Sequence, residues 1–142
     1  MLIKFLYTKY SAFCSILGTT PQRYTYTLTT EAVLAADGSY FLCTNVYAPT
    51  NYADNQNFLD ELQSCAPSED VPWIILGDFN LTRCLEDKNN SNFRANEAVM
   101  FNDTINLLGL IEIPLLGRAF TWSNQRNSPT LVHLDGDFVN NA

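Results

Sequence analysis

Between Arg23 and Thr30 the chain alternates Tyr24, Tyr26 and Leu28 with Thr25, Thr27 and Thr29. A period of two in aromatic and β-branched residues predicts a strand. Asp37-Gly38 is a tight-turn pair, and Ser39–Tyr47 (SYFLCTNVY) predicts the second arm of an antiparallel hairpin. Beyond Pro49, Asp54 is a good helix N-cap, Phe58, Leu62 and Cys65 recur at helical spacing, and Pro67 closes the helix. Pro72–Leu76 (PWIIL) is wholly apolar, as suits a strand covered on both faces, and runs into Gly-Asp-Phe-Asn at 77–80. After a polar loop through Asn89 and Asn92, a second helix is expected from about Asn96. Phe101, Ile105 and Leu108 share one of its faces, and Gly109 is a natural C′ residue. A Pro/Gly-punctuated stretch comes next, then a strand at Phe120–Ser123, a turn near Asn127–Pro129 and a strand at Leu131–Val139. The order β-β-α-β-α-β-β predicts an α/β layered domain with mixed strand pairing.

Composition narrows the class. At 142 residues the chain suits one domain, and 46% hydrophobic against 16% charged residues argues against disorder. No run reaches the ~18 apolar residues of a membrane span. Lys9 and Tyr10 interrupt the apolar start, so no signal peptide is expected. Net charge is −7. Residues 1–50 carry three basic residues against two acids, and the remainder five against thirteen. An acidic balance counts against nucleic-acid binding, which draws on phosphate neutralisation by Lys and Arg. Cys14, Cys43, Cys65 and Cys84 include no close C-x2-C pair, so no zinc site is expected; four thiols in a reducing compartment fit better than a disulfide framework.

GDFN is the first candidate for chemistry. Asp78 and Asn80, spaced i and i+2 where a buried strand ends, project to the same side of its exit. A carboxylate there can orient or deprotonate a water, and an amide can donate to a developing oxyanion. The same four letters also read as a plain turn, since Gly, Asp and Asn are default turn residues.

Three more segments accompany it: Asn45-Val46-Tyr47-Ala48-Pro49, Phe120-Thr121-Trp122-Ser123-Asn124, and Leu134-Asp135 within HLDGDFV. Taken with GDFN, in this order, they resemble the endonuclease/exonuclease/phosphatase superfamily, and more closely the endonuclease domain of plant LINE-type (non-LTR) retrotransposons. The resemblance covers about residues 37–139; residues 1–22 stay unassigned, and 23–142 are taken as a partial domain. It implies a four-layer α/β sandwich, incomplete at both ends, and Mg²⁺-dependent cleavage of DNA. On that resemblance Asp78 orients the attacking water, Asn80 stabilises the pentacovalent phosphorane and Tyr47 contacts the scissile phosphate or the leaving oxygen. Asp135 holds the catalytic histidine, while Asn45 and Trp122 bind substrate. Phe120 and Trp122 read equally well as core aromatics.

The resemblance also implies an Asn and a metal-binding Glu upstream, and neither is identifiable. Glu31 lies in the wrong context, fourteen residues before Asn45. A terminal Ser-Asp-His is implied as well, yet the chain stops at Ala142, seven residues after Asp135. The one histidine, His133, reads as a structural position. No residue is therefore assigned to a metal. Without those carboxylates Lewis-acid assistance is lost, and the missing histidine removes a further ~10²–10⁴ in rate. The expectation is an inactive remnant of a DNA endonuclease whose unpaired sheet edges invite self-association. A phosphatase or phosphodiesterase of the same superfamily, acting on a small phosphoester, is one rival; a non-enzymatic interaction module is another. Only the resemblance suggests a nucleus, since no basic cluster supplies an address.

Overall fold

The computed structural model describes residues 14–17 and 19–142; most of the stretch weighed as a signal peptide lies outside the described residues. Strands β1 (Cys14–Ile16), β2 (Gln22–Arg23), β3 (Thr27–Leu34) and β4 (Tyr40–Tyr47) come first. Helix α1 (Asn55–Ser64), β5 (Trp73–Asp78) and α2 (Ala95–Leu107) are next, then β6 (Ile111–Glu112), β7 (Trp122–Ser123), β8 (Leu131–Val132) and β9 (Asp135–Val139). Seven strands make one sheet in the order β1-β3-β4-β5-β9-β6, with β2 also paired to β3; β7 and β8 form a small separate sheet. The β4–β5 pairing is parallel, and the other pairings are antiparallel. The described residues thus form a mixed α/β layered unit.

Strand alternation divides the core in two. Val46, Trp73, Ile75 and Phe138 point to the face that carries both helices, where they meet Phe58 and Leu62 of α1 and Phe101 and Ile105 of α2. Ala32, Phe41, Cys43 and Leu76 form a smaller cluster on the opposite face. Burying each large side chain contributes about 1.5–3 kcal/mol, so the helix-covered face supplies most of the apolar stabilisation. Polar groups inside it are paired. Thr29 and Thr44 share a hydrogen bond of 2.8 Å, and the Trp73 indole N–H donates to the Thr44 hydroxyl at 2.8 Å.

Four local expectations need correction. The Tyr/Thr run is not one strand: β2 and β3 flank a turn in which Tyr24 N–H donates to the Thr27 carbonyl at 2.9 Å. The Glu61 carboxylate of α1 accepts from Thr25 N–H (3.1 Å), Tyr26 N–H (2.8 Å) and the Thr27 hydroxyl (2.8 Å), and so fixes that turn. Asp54 stands at the N-cap of α1 but makes no side-chain cap bond; Asn51 caps the short 3-10 turn before it. The strand expected at Leu131–Val139 divides into β8 and β9, because His133 N–H turns away to the Asp87 carbonyl at 2.8 Å. Phe120 and Thr121 fall outside β7, although Thr121 N–H still reaches the Val132 carbonyl at 2.9 Å.

One position controls how β4 meets β5. Gly77 has φ +138°, and a Cβ there would lie 2.1 Å from the Val46 carbonyl oxygen. No side chain fits, and L-residues rarely adopt that backbone conformation. Gly77→Ala is expected to cost more than about 3 kcal/mol or to prevent folding, as read by urea unfolding. A variant within ~1 kcal/mol of the parent would contradict the close approach.

Candidate functional site

Three neighbouring strands bring their chemistry to one place. Tyr47 ends β4, Asp78 ends β5 and Asp135 begins β9; the register sets Tyr47 opposite Asp78 and Asp78 opposite Asp135. Side chains on one face repeat every second residue, so Asn45 shares their face, opposite Leu76. A cleft of about 390 Å³ opens over them. Its other wall is the β2–β3 turn with Arg23, Tyr24, Tyr26 and Leu28. Alternation alone puts that turn inside a strand, so its part in the cleft is not visible from the local pattern. The one signal for it is non-local, in Glu61 of α1.

Backbone contacts hold the two carboxylates in place. Phe79 N–H donates to the Leu134 carbonyl at 2.9 Å and Ala48 N–H to the Asp78 carbonyl at 2.8 Å, locking the exits of β4 and β5 to the entry of β9. The Thr121 hydroxyl accepts from both Leu134 N–H (2.9 Å) and Asp135 N–H (3.1 Å), which sets where Asp135 starts its strand. Asn80 has φ +50°, a left-handed conformation that asparagine tolerates better than most residues. Its N–H donates to Asp78 Oδ1 at 3.0 Å and its side-chain amide donates to the Ala48 carbonyl at 2.9 Å. Gly77 and Asp78 therefore belong to the strand, and only Phe79 and Asn80 lie beyond its end, where the chain bends.

Burial pushes the Asp78 carboxyl above its ordinary range, and the Asp135 charge adds to that; the Asn80 N–H opposes both. Asn45 is wholly buried, and neither amide atom has a partner. Trp122 stands apart. It is 47% exposed on β7, beside a shallow groove with Arg118 and Phe120. His133 also lies outside the cleft; its Nδ1 is 3.5 Å from Asp87 Oδ1.

The cleft brings two carboxylates, Asp78 and Asp135, to adjacent strand ends. Among the described residues no group of three or more His, Cys, Asp or Glu side chains could hold a metal. Asp78 and Asp135 are the only carboxylates lining the cleft, and one Asp78 oxygen already accepts from Asn80. The Asn80 amide is turned to the Ala48 carbonyl. Mg²⁺ commonly keeps several waters and takes one or two protein carboxylates with substrate phosphate, so Asp78 and Asp135 are the residues of this cleft that would face it.

No protein-family model and no curated protein match the sequence. Solved structures do match. The endonuclease domain of TRAS1, a telomere-specific non-LTR retrotransposon, superposes with a TM-score of 0.65 at 12% identity, over 86% of this chain and 56% of that one. A mannosyl-6-phosphatase from Bacteroides thetaiotaomicron gives 0.56 at 14% identity, over 93% and 55%. TDP2 from D. rerio, complexed with a single strand DNA product, gives 0.54 at 14% identity, again over 93% and 55%. This chain spans about half the length of each. At such identities the likeness establishes a fold, that of the endonuclease/exonuclease/phosphatase proteins. No helix among the described residues is long and apolar enough to cross a membrane.

A raised carboxyl pKa means the folded state holds the Asp78 proton more tightly than the unfolded chain does. Stability is then lost as pH rises from the unfolded pKa through the folded one. Asp78→Asn is expected to raise Tm at pH 7 and to leave it unchanged near pH ~3, where the carboxyl is protonated in both states. Equal shifts at both pH values would show that ionisation of Asp78 is not what costs stability.

Proposed function

We propose that this chain carries the phosphoryl-facing part of a DNA-endonuclease-type hydrolase domain and has no phosphodiesterase activity of its own. The observation that carries the reading is the convergence of Tyr47, Asp78 and Asp135 on three adjacent strand ends beside one cleft. In a working site of this fold Asp78 would orient a water, Asn80 and Tyr47 would face the phosphoryl oxygens, and Asp135 would steady a histidine. Mg²⁺ would supply Lewis-acid assistance there. DNA as the ancestral substrate is favoured by the likeness to the retrotransposon endonuclease domain, which has a higher TM-score than the mannosyl-6-phosphatase.

Two features support inactivity. Among the described residues the cleft offers two carboxylates and no third His, Cys, Asp or Glu beside them. The only imidazole, His133, is engaged with Asp87 outside the cleft. A site with only two carboxylates for a cation and no imidazole beside them gives up general acid–base assistance, and groups that act together fail together.

A plasmid-nicking assay in Mg²⁺ is expected to give the same rate for the chain and for Asp78→Ala. Nicking that needs Mg²⁺ and disappears in Asp78→Ala would overturn the inactivity. Turnover of a small phosphomonoester without plasmid nicking would move the reading to the phosphatase branch.

A further inference from the structure

Strand register gives the cleft a cation. Arg23 of β2 stands opposite Leu28 of β3, and Leu28 stands opposite Asn45 of β4. Paired residues project to one face of a sheet, so Arg23 lies on the face that carries Tyr47, Asp78 and Asp135. Among the described residues it is the only basic one lining the cleft. No acid among them pairs with it, whereas Arg83 is tied to Glu112 at 2.6 Å and Arg94 to Glu97 at 2.9 Å.

The turn that presents Arg23 is anchored from two sides. Glu61 of α1 accepts from Thr25 N–H, Tyr26 N–H and the Thr27 hydroxyl, and the Tyr26 carbonyl accepts from Tyr47 N–H at 2.9 Å. The second contact ties the turn to a residue of the candidate site. Tyr24, next to Arg23, is 43% exposed and lines the same wall. A guanidinium and an aromatic ring in succession on a fixed turn suit a nucleic-acid strand, with phosphate on one and a base on the other. Spacing decides which phosphate. The strands β2, β3, β4 and β5 are successive neighbours, so at ~4.8 Å per strand Arg23 lies about 14 Å across the sheet from Asp78. That exceeds the ~8–10 Å screening length of ordinary salt, so the two carboxylates repel a phosphate held there only weakly.

We propose that the cleft takes a single strand of nucleic acid lengthwise. Arg23 holds a phosphate that flanks the one facing Asp78, and Glu61 is the positioning residue that sets the turn to receive it. On the phosphoryl-facing reading of the cleft, on which this rests, such contacts fix the register of the strand and supply salt-dependent affinity away from the reacting bond.

Fluorescence anisotropy of the whole chain with a labelled single-stranded oligodeoxynucleotide in Mg²⁺, across a salt series, tests this, and a gel of the recovered oligonucleotide reports cleavage separately. Arg23→Gln is expected to weaken binding at least about tenfold at low salt, to lower the slope of log K against log salt concentration by about one, and to leave Tm unchanged. Arg23→Lys keeps the charge and is expected to keep the slope. Glu61→Gln makes the chain less negative, which by charge alone would tighten binding. It also sets an amide N–H₂ against the donors of the turn, so it is expected to weaken binding instead, toward the affinity of Arg23→Gln. Arg23→Gln with unchanged affinity and slope, binding as tight or tighter in a folded Glu61→Gln chain, or no binding by the parent at low salt would each overturn the assignment. Cleavage on the gel would overturn the inactivity alone.

Discussion

The architecture depends on a backbone-to-backbone approach. At Gly77 the chain comes so near the Val46 carbonyl that any Cβ would sit 2.1 Å from it. That closeness lets β4 and β5 run in parallel to their ends in register, with Val46 beside Gly77 and Tyr47 beside Asp78. A shift of one residue would send every side chain to the other face and scatter the site. The steric demand of one residue type thus sets the address of two candidate site side chains.

The residues after Gly77 divide the work between chemistry and anchorage. Asp78 faces the cleft, whereas Phe79 turns into the core and meets Phe58, Phe101 and Phe138 at ring-centroid distances of 6.3, 5.4 and 5.1 Å. Phe79 is therefore the nail that holds the strand exit to both helices and to β9. Asn80 then bends the chain in a left-handed conformation and ties it back to Asp78 and Ala48. An apparent catalytic motif is here also a structural bracket. Its letters can persist on those grounds alone, so GDFN by itself is weak evidence of activity.

Features written in nearby residues were readable in the sequence. The Asp37-Gly38 turn, the two helices by their apolar spacing and the apolar strand before GDFN all lie where local pattern placed them. The Tyr/Thr run misled because its alternation is equally good for one strand or for two. What divides it is Glu61, about 35 residues later, whose carboxylate serves three donors of the turn. The break between β8 and β9 has the same character, made by Thr121 and Asp87 from elsewhere in the chain. Asp78, Asp135 and Tyr47 could be named from motifs, yet their adjacency belongs to strand register. Arg23 and Tyr24 carried no motif and join the cleft only because the turn folds back over it.

Charge and hydrogen bonding together separate what the cleft holds from what the fold requires. On the helix-covered face polar side chains find partners: Thr29, Thr44 and Trp73 close a chain of bonds. Asn45, one residue along the strand from Thr44 and on the opposite face, does not. An apolar residue there would complete the smaller core cluster at no cost in unpaired groups, since Leu76 lies directly opposite. A folded chain under selection for stability alone has no reason to hold an amide at that position. The amide therefore sits in the interior beneath the cleft floor, one layer below the two carboxylates.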